Sequence, residues 1–126
     1  MSTAEGKDMF LGLVSQADIW IECSKPGTYN GWGLDDKTVL NANVAIVITH
    51  VSGYGQDGHP DYLGRASFDM IGQAFDGTMY MTSSPDSEPP MRFAPLTAHY
   101  IIAYCCLWSC LAAYISAQRT GEWQVI

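Results

Sequence analysis

The sequence predicts an α/β fold in which helices flank a parallel sheet, with a long apolar helix near the C-terminus. Two short apolar runs, at residues 19–21 and 44–48, have the length and the β-branched content of buried parallel strands. A candidate helix separates them, so strand, helix and strand form a βαβ unit. Farther along, residues 93–118 contain no Asp, Glu, Lys or Arg, which predicts one long helix.

The composition sets limits on the class of protein. The chain has 126 residues, 13 of them acidic and 6 basic, for a formal net charge of −7. This length predicts one domain or a piece of one. Apolar residues make up 48% and charged residues 15%, which excludes a disordered chain. The basic residues are scattered, which argues against nucleic acid as a partner.

The first half of the chain has recognisable helix and loop signals. A capping box that starts at Ser2 predicts a helix that ends near Gln16. Glycines and prolines between residues 23 and 33 predict a loop after the first strand. Asp35 is predicted to cap a short helix that continues to Leu40.

The second half is predicted from similar signals. Ser67 is expected to cap a helix that ends near Gly77, followed by a polar loop at residues 83–90. The long helix is expected to stop at Gly121, and residues 124–126 look like the start of another strand. Both ends look abrupt, so we expect the chain to be part of something larger. The helix after Ser67 is predicted to bury one apolar face, made of Phe68, Ile71, Ala74 and Phe75.

Four cysteines, Cys23, Cys105, Cys106 and Cys110, do not form the spacing of a secreted disulfide framework. Neither do they form the paired spacing of a zinc site. We therefore expect packed, reduced thiols, a cytoplasmic location and no metal.

The long helix also raises the question of a membrane. Residues 98–117 are about long enough to cross a bilayer. His99, Ser109 and three tyrosines argue against insertion, as does the absence of a Lys/Arg cluster on either flank. We expect no membrane association and a helix that is buried in a larger soluble protein, with a membrane span as the alternative.

Two glycine-containing loops follow the predicted strands, at residues 24–27 and 52–55. In open parallel sheets, ligands bind outside the carboxyl ends of the strands. Glycines there let the backbone approach a ligand closely. Neither loop matches a nucleotide-binding fingerprint, so ordinary turns are the alternative. Lys25 is a candidate partner for a phosphate or carboxylate, or a solvated surface lysine.

His99 is expected near the start of the long helix, where the helix dipole disfavours its protonation and favours an anion nearby. A helix-capping role is the alternative. His50 and His59 are expected to be structural or to face solvent. Asp69 and Asp76 lie near predicted helix ends, where capping is more common than acid–base chemistry.

Six short motifs, taken together and in this order, resemble the family III CoA-transferases, the group of carnitine, bile-acid and formyl-CoA transferases. The wording of the first and fourth motifs is closest to the carnitine and bile-acid branch. The motifs are Ala-Asp-Ile-Trp-Ile-Glu at 17–22, Lys-Pro-Gly at 25–27, Gly-Leu at 33–34, Val-Ser-Gly-Tyr-Gly-Gln at 51–56, Phe-Asp-Met-Ile-Gly-Gln-Ala at 68–74 and Arg-Thr-Gly at 119–121.

The resemblance implies a Rossmann-like parallel-sheet fragment of the family's large domain, with residues 1–126 incomplete at both ends. It implies a cytoplasmic homodimeric enzyme that moves coenzyme A between an acyl-CoA and a carboxylic acid. In the family an aspartate carboxylate attacks the thioester, and the CoA thiolate returns to form an enzyme thioester. Ser52, Gly53 and Tyr54 match the family's glycine turn beside CoA. Lys25 matches a basic or polar position in the loop that meets the nucleotide end.

Two positions depart from the family pattern. The family's Thr-Ala-Asp-Tyr motif carries the catalytic aspartate, whereas this chain has His99 at that position, in Thr-Ala-His-Tyr. An imidazole can accept an acyl group but cannot form the carboxyl-derived enzyme thioester. Trp123 replaces a family glycine, which predicts strain if that residue has positive φ. We therefore predict impaired CoA transfer, with a non-catalytic CoA-binding or partner-binding fragment as the alternative.

Overall fold

The computed structural model describes residues 1–84 and 89–126, so part of the predicted loop at residues 83–90 lies outside the described residues. Helices and strands alternate in the first half of the chain, and helices alone follow, which confirms the predicted α/β class. The elements are α1 (Ala4–Val14), β1 (Ile19–Glu22), α2 (Thr28–Gly31), α3 (Asp36–Ala42), β2 (Val47–His50), α4 (Asp69–Phe75), α5 (Thr78–Thr82) and α6 (Thr97–Thr120).

The two strands pair in parallel, as the βαβ pattern predicts. Their register runs from Ile19 opposite Val47 to Glu22 opposite His50. The second strand begins later than predicted because Val44 lies in a turn, where the Asn43 side-chain oxygen accepts a hydrogen bond from the Ala45 amide at 3.0 Å. The carboxyl ends of both strands therefore carry polar side chains, Glu22 and His50.

The C-terminal segment adds a third extended piece beside β2. Val125 forms a parallel bridge with Ile48, and the His50 amide donates to the Ile126 carbonyl at 2.8 Å. The prediction of strand-like structure at residues 124–126 is therefore confirmed. Among the described residues, the opposite edge of β1 has no strand partner.

The sheet separates two layers of helices. Ile46 and Ile48 pack with Val14 of α1 and Val39 of α3 in the main apolar cluster. Alternate residues of a strand point to opposite faces, and Thr49 accordingly contacts α6, with its Oγ1 3.0 Å from Cys110 Sγ. Thus α1 and α3 cover one face and α6 lies on the other.

The observed helix starts differ in detail from the prediction. Thr3, not Ser2, caps α1, and its Oγ1 accepts a hydrogen bond from the Gly6 amide at 3.2 Å. Asp35 caps α3 as predicted, because its carboxylate accepts from the Thr38 amide at 2.8 Å. The hydrogen bond holds the pKa of Asp35 below its ordinary value. The loop predicted for residues 23–33 contains the short helix α2.

Helix α4 has the reverse of its predicted orientation. Its buried side chains are the polar Asp69 and Gln73, whereas Phe68, Ile71 and Phe75 are exposed. The predicted cap at Ser67 is also wrong, since the residue before the helix is Phe68 and no side chain caps it. The physical reason is that α4 turns its polar side toward α6 and the segment before it, where Asp69 and Gln73 find hydrogen-bond partners.

Helix α6 stops at Gly121, which has a φ of 73° and confirms the predicted C-cap. Its buried residues are Cys110, Ala113 and Ala117. Among the described residues it is the one helix long and apolar enough to cross a membrane, a test that core helices of soluble proteins also pass. Most of its apolar side chains are exposed among the described residues, so its burial within a larger soluble protein stays a prediction.

The strain predicted for Trp123 is absent. Among the described residues, every positive φ belongs to a glycine. Trp123 therefore has no positive φ, and the left-handed position in the turn after α6 is occupied by Gly121.

Candidate active site

A cavity of about 660 Å³ lies between the turn after β2, the start of α4 and the first half of α6. We call it the His99 cavity. Ser52 and Gly53 line it from the turn, Asp69 lines it from α4, and His99 lines it from α6. Polar groups from three separate parts of the chain therefore line one cavity.

Gly53 allows the turn to approach Ser67, just before α4. A Cβ atom placed on Gly53 would lie 2.2 Å from Ser67 Cβ, closer than any real contact. The glycine thus serves a close approach between two parts of the backbone, and this approach brings Ser52 to the cavity wall.

The wall formed by α6 changes character along its length. His99 lies at its start, and Ile102, Ala103, Cys106 and Leu107 continue it. These positions recur at helical spacing, so one side of the helix faces the cavity over roughly 13 Å. The cavity is polar near His99 and mostly apolar beyond it.

Asp69 holds the amino end of α6. Its Oδ1 accepts hydrogen bonds from the Ala98 amide at 2.8 Å and the His99 amide at 3.4 Å. The same oxygen lies 3.3 Å from Nδ1 of His99. A carboxylate from α4 thereby supplies the anion that the dipole of α6 favours at this position.

The surroundings of Asp69 favour its ionised form. Burial opposes ionisation, but hydrogen bonds from the His99 side chain, the His99 and Ala98 amides and the Gln73 side chain outweigh it and lower the pKa of the carboxyl. Gln73 Nε2 donates to Asp69 Oδ2 at 2.6 Å. Gln73 is itself fixed by Phe93, whose amide donates to the Gln73 side-chain oxygen at 2.9 Å. Asp69 is therefore a fixed negative charge beside His99.

A second, smaller cavity of about 320 Å³ lies at the carboxyl ends of the strands. We call it the His50 cavity. His50 Nδ1 is 2.7 Å from Glu22 Oε1, and His50 Nε2 is 2.9 Å from Asp36 Oδ1. Glu22 also accepts a hydrogen bond from the Ser24 amide at 2.7 Å. Both ring nitrogens of His50 are therefore occupied.

All four cysteines are free thiols. The prediction of packed thiols is confirmed for Cys110, which is buried, and is wrong for Cys23 and Cys105, which are exposed. Burial raises the pKa of the Cys106 thiol, and the neighbouring thiols of Cys110, Cys23 and Cys105 add to the shift. Within residues 1–84 and 89–126, no three His, Cys, Asp or Glu side chains are grouped to hold a metal ion.

Comparison with known proteins identifies the family. The family model described as CoA-transferase family III matches residues 1–126. The chain belongs to CoA-transferase family III. It is 43% identical over 122 residues to the bile acid CoA-transferase BaiK of Clostridium scindens, an alignment that covers 97% of this chain and 28% of that protein. It is 38% identical to the L-carnitine CoA-transferase of Proteus mirabilis, over 97% of this chain and 30% of the relative.

Solved structures agree with the fold. A CAIB/BAIF family protein from Brucella suis superposes with a TM-score of 0.91 at 30% identity, covering 98% of this chain and 32% of that chain. The Rv3272 protein of M. tuberculosis shares the fold at 22% identity, with a TM-score of 0.88 over 99% of this chain and 35% of the other. The family III chain thus corresponds to about a third of these larger proteins.

In this family III chain, the predicted site residues fall into three places. Ser52, Gly53 and His99 line the His99 cavity. Lys25 lines the His50 cavity instead. Tyr54 lines neither cavity, because its ring packs against Tyr62 and Phe75 at centroid distances of 5.5 and 5.4 Å. The binding and catalytic roles of these five residues stay predictions.

The sequence analysis missed two features of these sites. It treated Asp69 as a local helix cap, whereas Asp69 caps a different helix and meets His99. It also missed the Glu22–His50 pair. Parallel pairing of the two predicted strands was a signal that could have found that pair, since both residues end their strands in register. No signal in the sequence joined Asp69 to His99.

Proposed function

We propose that this family III chain forms part of an acyl-CoA site that moves CoA between a thioester and a carboxylic acid. One observation carries the proposal: the Ser52–Gly53 turn and the amino end of α6, which bears His99, line one cavity. The first segment belongs to the motif at residues 51–56 by which the sequence resembles the family, and the second, at residues 97–100, holds the position of the family's catalytic motif, where His99 replaces the aspartate. The reacting thioester carbonyl would lie beside His99.

The two cavities together offer a path for an extended ligand. Gln56 lines the His50 cavity, and its Nε2 donates to Ser52 Oγ at 3.4 Å. Because Ser52 lines the His99 cavity, the turn that holds these two residues borders both cavities. Lys25 would meet a phosphate at the nucleotide end of CoA, while Ser52 and Gly53 face the thioester end. The apolar part of the His99 cavity would hold the acyl group.

His99 is proposed to slow the transfer. A carboxylate nucleophile can form a mixed anhydride and then an enzyme thioester, and both retain the activation of the acyl group. An imidazole can form only an acyl-imidazole, so CoA cannot be held on the enzyme between the two half-reactions. CoA transfer by the native chain should therefore be weak.

We propose that the acids this chain exchanges belong to the classes that appear in the names of its relatives. The two curated relatives are named for bile acid and for L-carnitine. We further propose that the chain forms a homo-oligomer, because apolar side chains of α4 and α6 such as Phe75, Ile101 and Trp108 are exposed in the described chain. The proposed cytoplasmic location follows from the family resemblance and the cysteine spacing alone. Neither nucleic acid nor a membrane nor a metal has a role in this proposal.

The test is to restore the carboxylate with His99→Asp in the intact protein. CoA transfer from octanoyl-CoA to cholate or L-carnitine is measured by mass spectrometry of the new thioester. We expect His99→Asp to raise the transfer rate about 100-fold or more, because it restores covalent catalysis. The matched control is His59→Asp, since the His59 side chain is exposed and lines neither cavity. Equal rates for the native chain and His99→Asp would refute the role assigned to position 99.

A non-catalytic CoA-binding fragment is the alternative function, and the presence of His99 at the nucleophile position favours it. Titration with free CoA distinguishes the two. Saturable binding, with no exchange in either the native chain or His99→Asp, would establish the alternative.

A further inference from the structure

The Asp69–His99 pair has the geometry to activate water. We propose that the native chain hydrolyses acyl-CoA thioesters in the His99 cavity, with His99 as the general base and Asp69 as its positioning residue. This inference rests on the proposed binding of acyl-CoA in that cavity. It assigns to the native histidine a reaction that differs from CoA transfer.

Asp69 fixes the tautomer of the neutral His99 ring. An ionised carboxylate can only accept hydrogen bonds. Asp69 Oδ1 lies 3.3 Å from Nδ1 of His99, so in the neutral imidazole Nδ1 carries the proton and Nε2 presents its lone pair. Among residues 1–84 and 89–126, no group hydrogen-bonds Nε2. One nitrogen is thus fixed and the other is available.

His99 is accessible to water and lies beside a buried negative charge. The His99 side chain is 59% exposed and lines the cavity, whereas the Asp69 side chain is 6% exposed. Water can reach the imidazole, but the carboxylate behind it is shielded. A buried negative charge beside Nδ1 stabilises the imidazolium that forms when Nε2 takes a proton.

The reaction balances with water as the sole co-reactant. Nε2 of His99 takes a proton from water as the water oxygen forms a bond to the thioester carbonyl carbon. The tetrahedral intermediate collapses, the carbon–sulfur bond breaks, and the imidazolium returns the proton to the CoA thiolate. The products are the free carboxylic acid and CoA, and His99 returns to its neutral form.

Two other groups of the cavity wall, Asp69 and Cys106, are less suited than His99 to act as the base, or to attack the thioester themselves. Asp69 is buried and its oxygens already accept several hydrogen bonds. The pKa of Cys106 is raised, chiefly by burial, so its thiol stays protonated. Cys106 also lies two helical turns from His99, roughly 10 Å along α6, which is too far for activation by that imidazole.

The experiment measures free CoA released from octanoyl-CoA by the intact protein with no acceptor acid present. We expect catalysed release in the native protein and a loss of about 100-fold or more in kcat for His99→Gln, with KM changed less than about threefold. The matched control is His59→Gln. His59 also lies near an aspartate, with Nδ1 3.8 Å from Asp61 Oδ2, but it lines neither cavity, so its hydrolysis rate should equal that of the native protein.

Two further variants separate chemistry from folding. Added imidazole should restore release in His99→Ala by about tenfold or more, since a free base can occupy the vacated space, and a purely structural His99 would show no rescue. Asp69→Asn should lower kcat and leave KM unchanged, because an amide carries no negative charge to stabilise the imidazolium at Nδ1. Thermal unfolding of each variant identifies any that fails to fold. Because His99 is exposed, its replacement by alanine should leave the fold intact, so the rescue is measured on folded protein.

The outcomes separate this inference from the proposed transferase function. Release that depends on His99 supports the inference, whether or not CoA transfer also occurs. Transfer to an acceptor acid with no release in its absence overturns the inference and leaves the transferase proposal intact. Binding of CoA with neither reaction overturns both. Release that persists in His99→Gln also overturns the inference, because another group would then be the base.

Discussion

His50 and His99 lie beside carboxylates in two different cavities, yet their surroundings give them different capacities. The His50 side chain is 12% exposed, and both of its nitrogens contact carboxylates, those of Glu22 and Asp36. The His99 side chain is 59% exposed, and one nitrogen contacts Asp69. A histidine bound at both nitrogens holds its neighbours in place, whereas one with a free nitrogen can move a proton. The number of occupied nitrogens therefore separates a structural site from a candidate catalytic one.

Replacing each of the two histidines by alanine tests this comparison, and it has the largest expected effect on the free energy of unfolding. His50→Ala should lower the free energy of unfolding by about 3 kcal/mol, because it leaves the buried Glu22 carboxylate without its partner. His99→Ala should lower it by less than about 1 kcal/mol, since that side chain is exposed. Urea unfolding of both variants at neutral pH measures the difference. Equal losses would show that the two histidines have the same structural role.

A glycine substitution is expected to disturb the structure around the His99 cavity and to leave the His50 cavity unchanged. Gly53→Ala should destabilise the chain by about 2 kcal/mol, because its Cβ would lie 2.2 Å from Ser67 Cβ. The control is Gly12→Ala in α1, where a Cβ meets nothing within 4 Å and helix propensity favours alanine. Urea unfolding should show a loss for the first variant and none for the second. An unchanged stability of Gly53→Ala would mean that the turn does not need its close approach to Ser67.

The pH dependence of the free energy of unfolding tests how much the ionised Asp69 carboxylate stabilises the fold. Of the three tests, this one has the smallest expected effect. Its pKa is lowered in the folded chain from the ordinary 3.8, so the ionised carboxylate stabilises the fold at pH values above 3.8. That stabilisation is lost as pH falls through the lowered pKa, because both states then bind the proton. The difference in unfolding free energy between the native chain and Asp69→Asn should therefore shrink below about pH 4. A difference that stays constant from pH 7 to pH 3 would contradict this linkage.

Helix α4 shows where inference from sequence periodicity failed. Phe68, Ile71 and Phe75 share the spacing of a buried helical face, but they are exposed, and Asp69 and Gln73 are buried instead. Periodicity identifies which residues share a side of a helix; it does not identify what that side packs against. Here the polar side of α4 packs against the start of α6, since Asp69 can hydrogen-bond to the free amides there.

Local interactions explain which features the sequence determined by itself. The Asp35 cap and the Gly121 stop of α6 depend on residues close together in the chain, and the parallel βαβ unit follows from the order of two apolar runs and the helix between them, so each was predictable. The family was also evident from the order of short motifs, and the family match confirms it.

Tertiary structure alone decided that Asp69 meets His99, whereas the predicted parallel pairing of the two strands could have revealed the meeting of Glu22 and His50. Asp69 and His99 are 30 residues apart, and Glu22 and His50 are 28 apart. Strand register brought the second pair together, whereas the first pair depends on how α4 packs against α6. Such packing is set by the burial of whole surfaces and by the need to satisfy the free amides of a helix end. Those requirements act across the fold, so no short stretch of sequence encodes them.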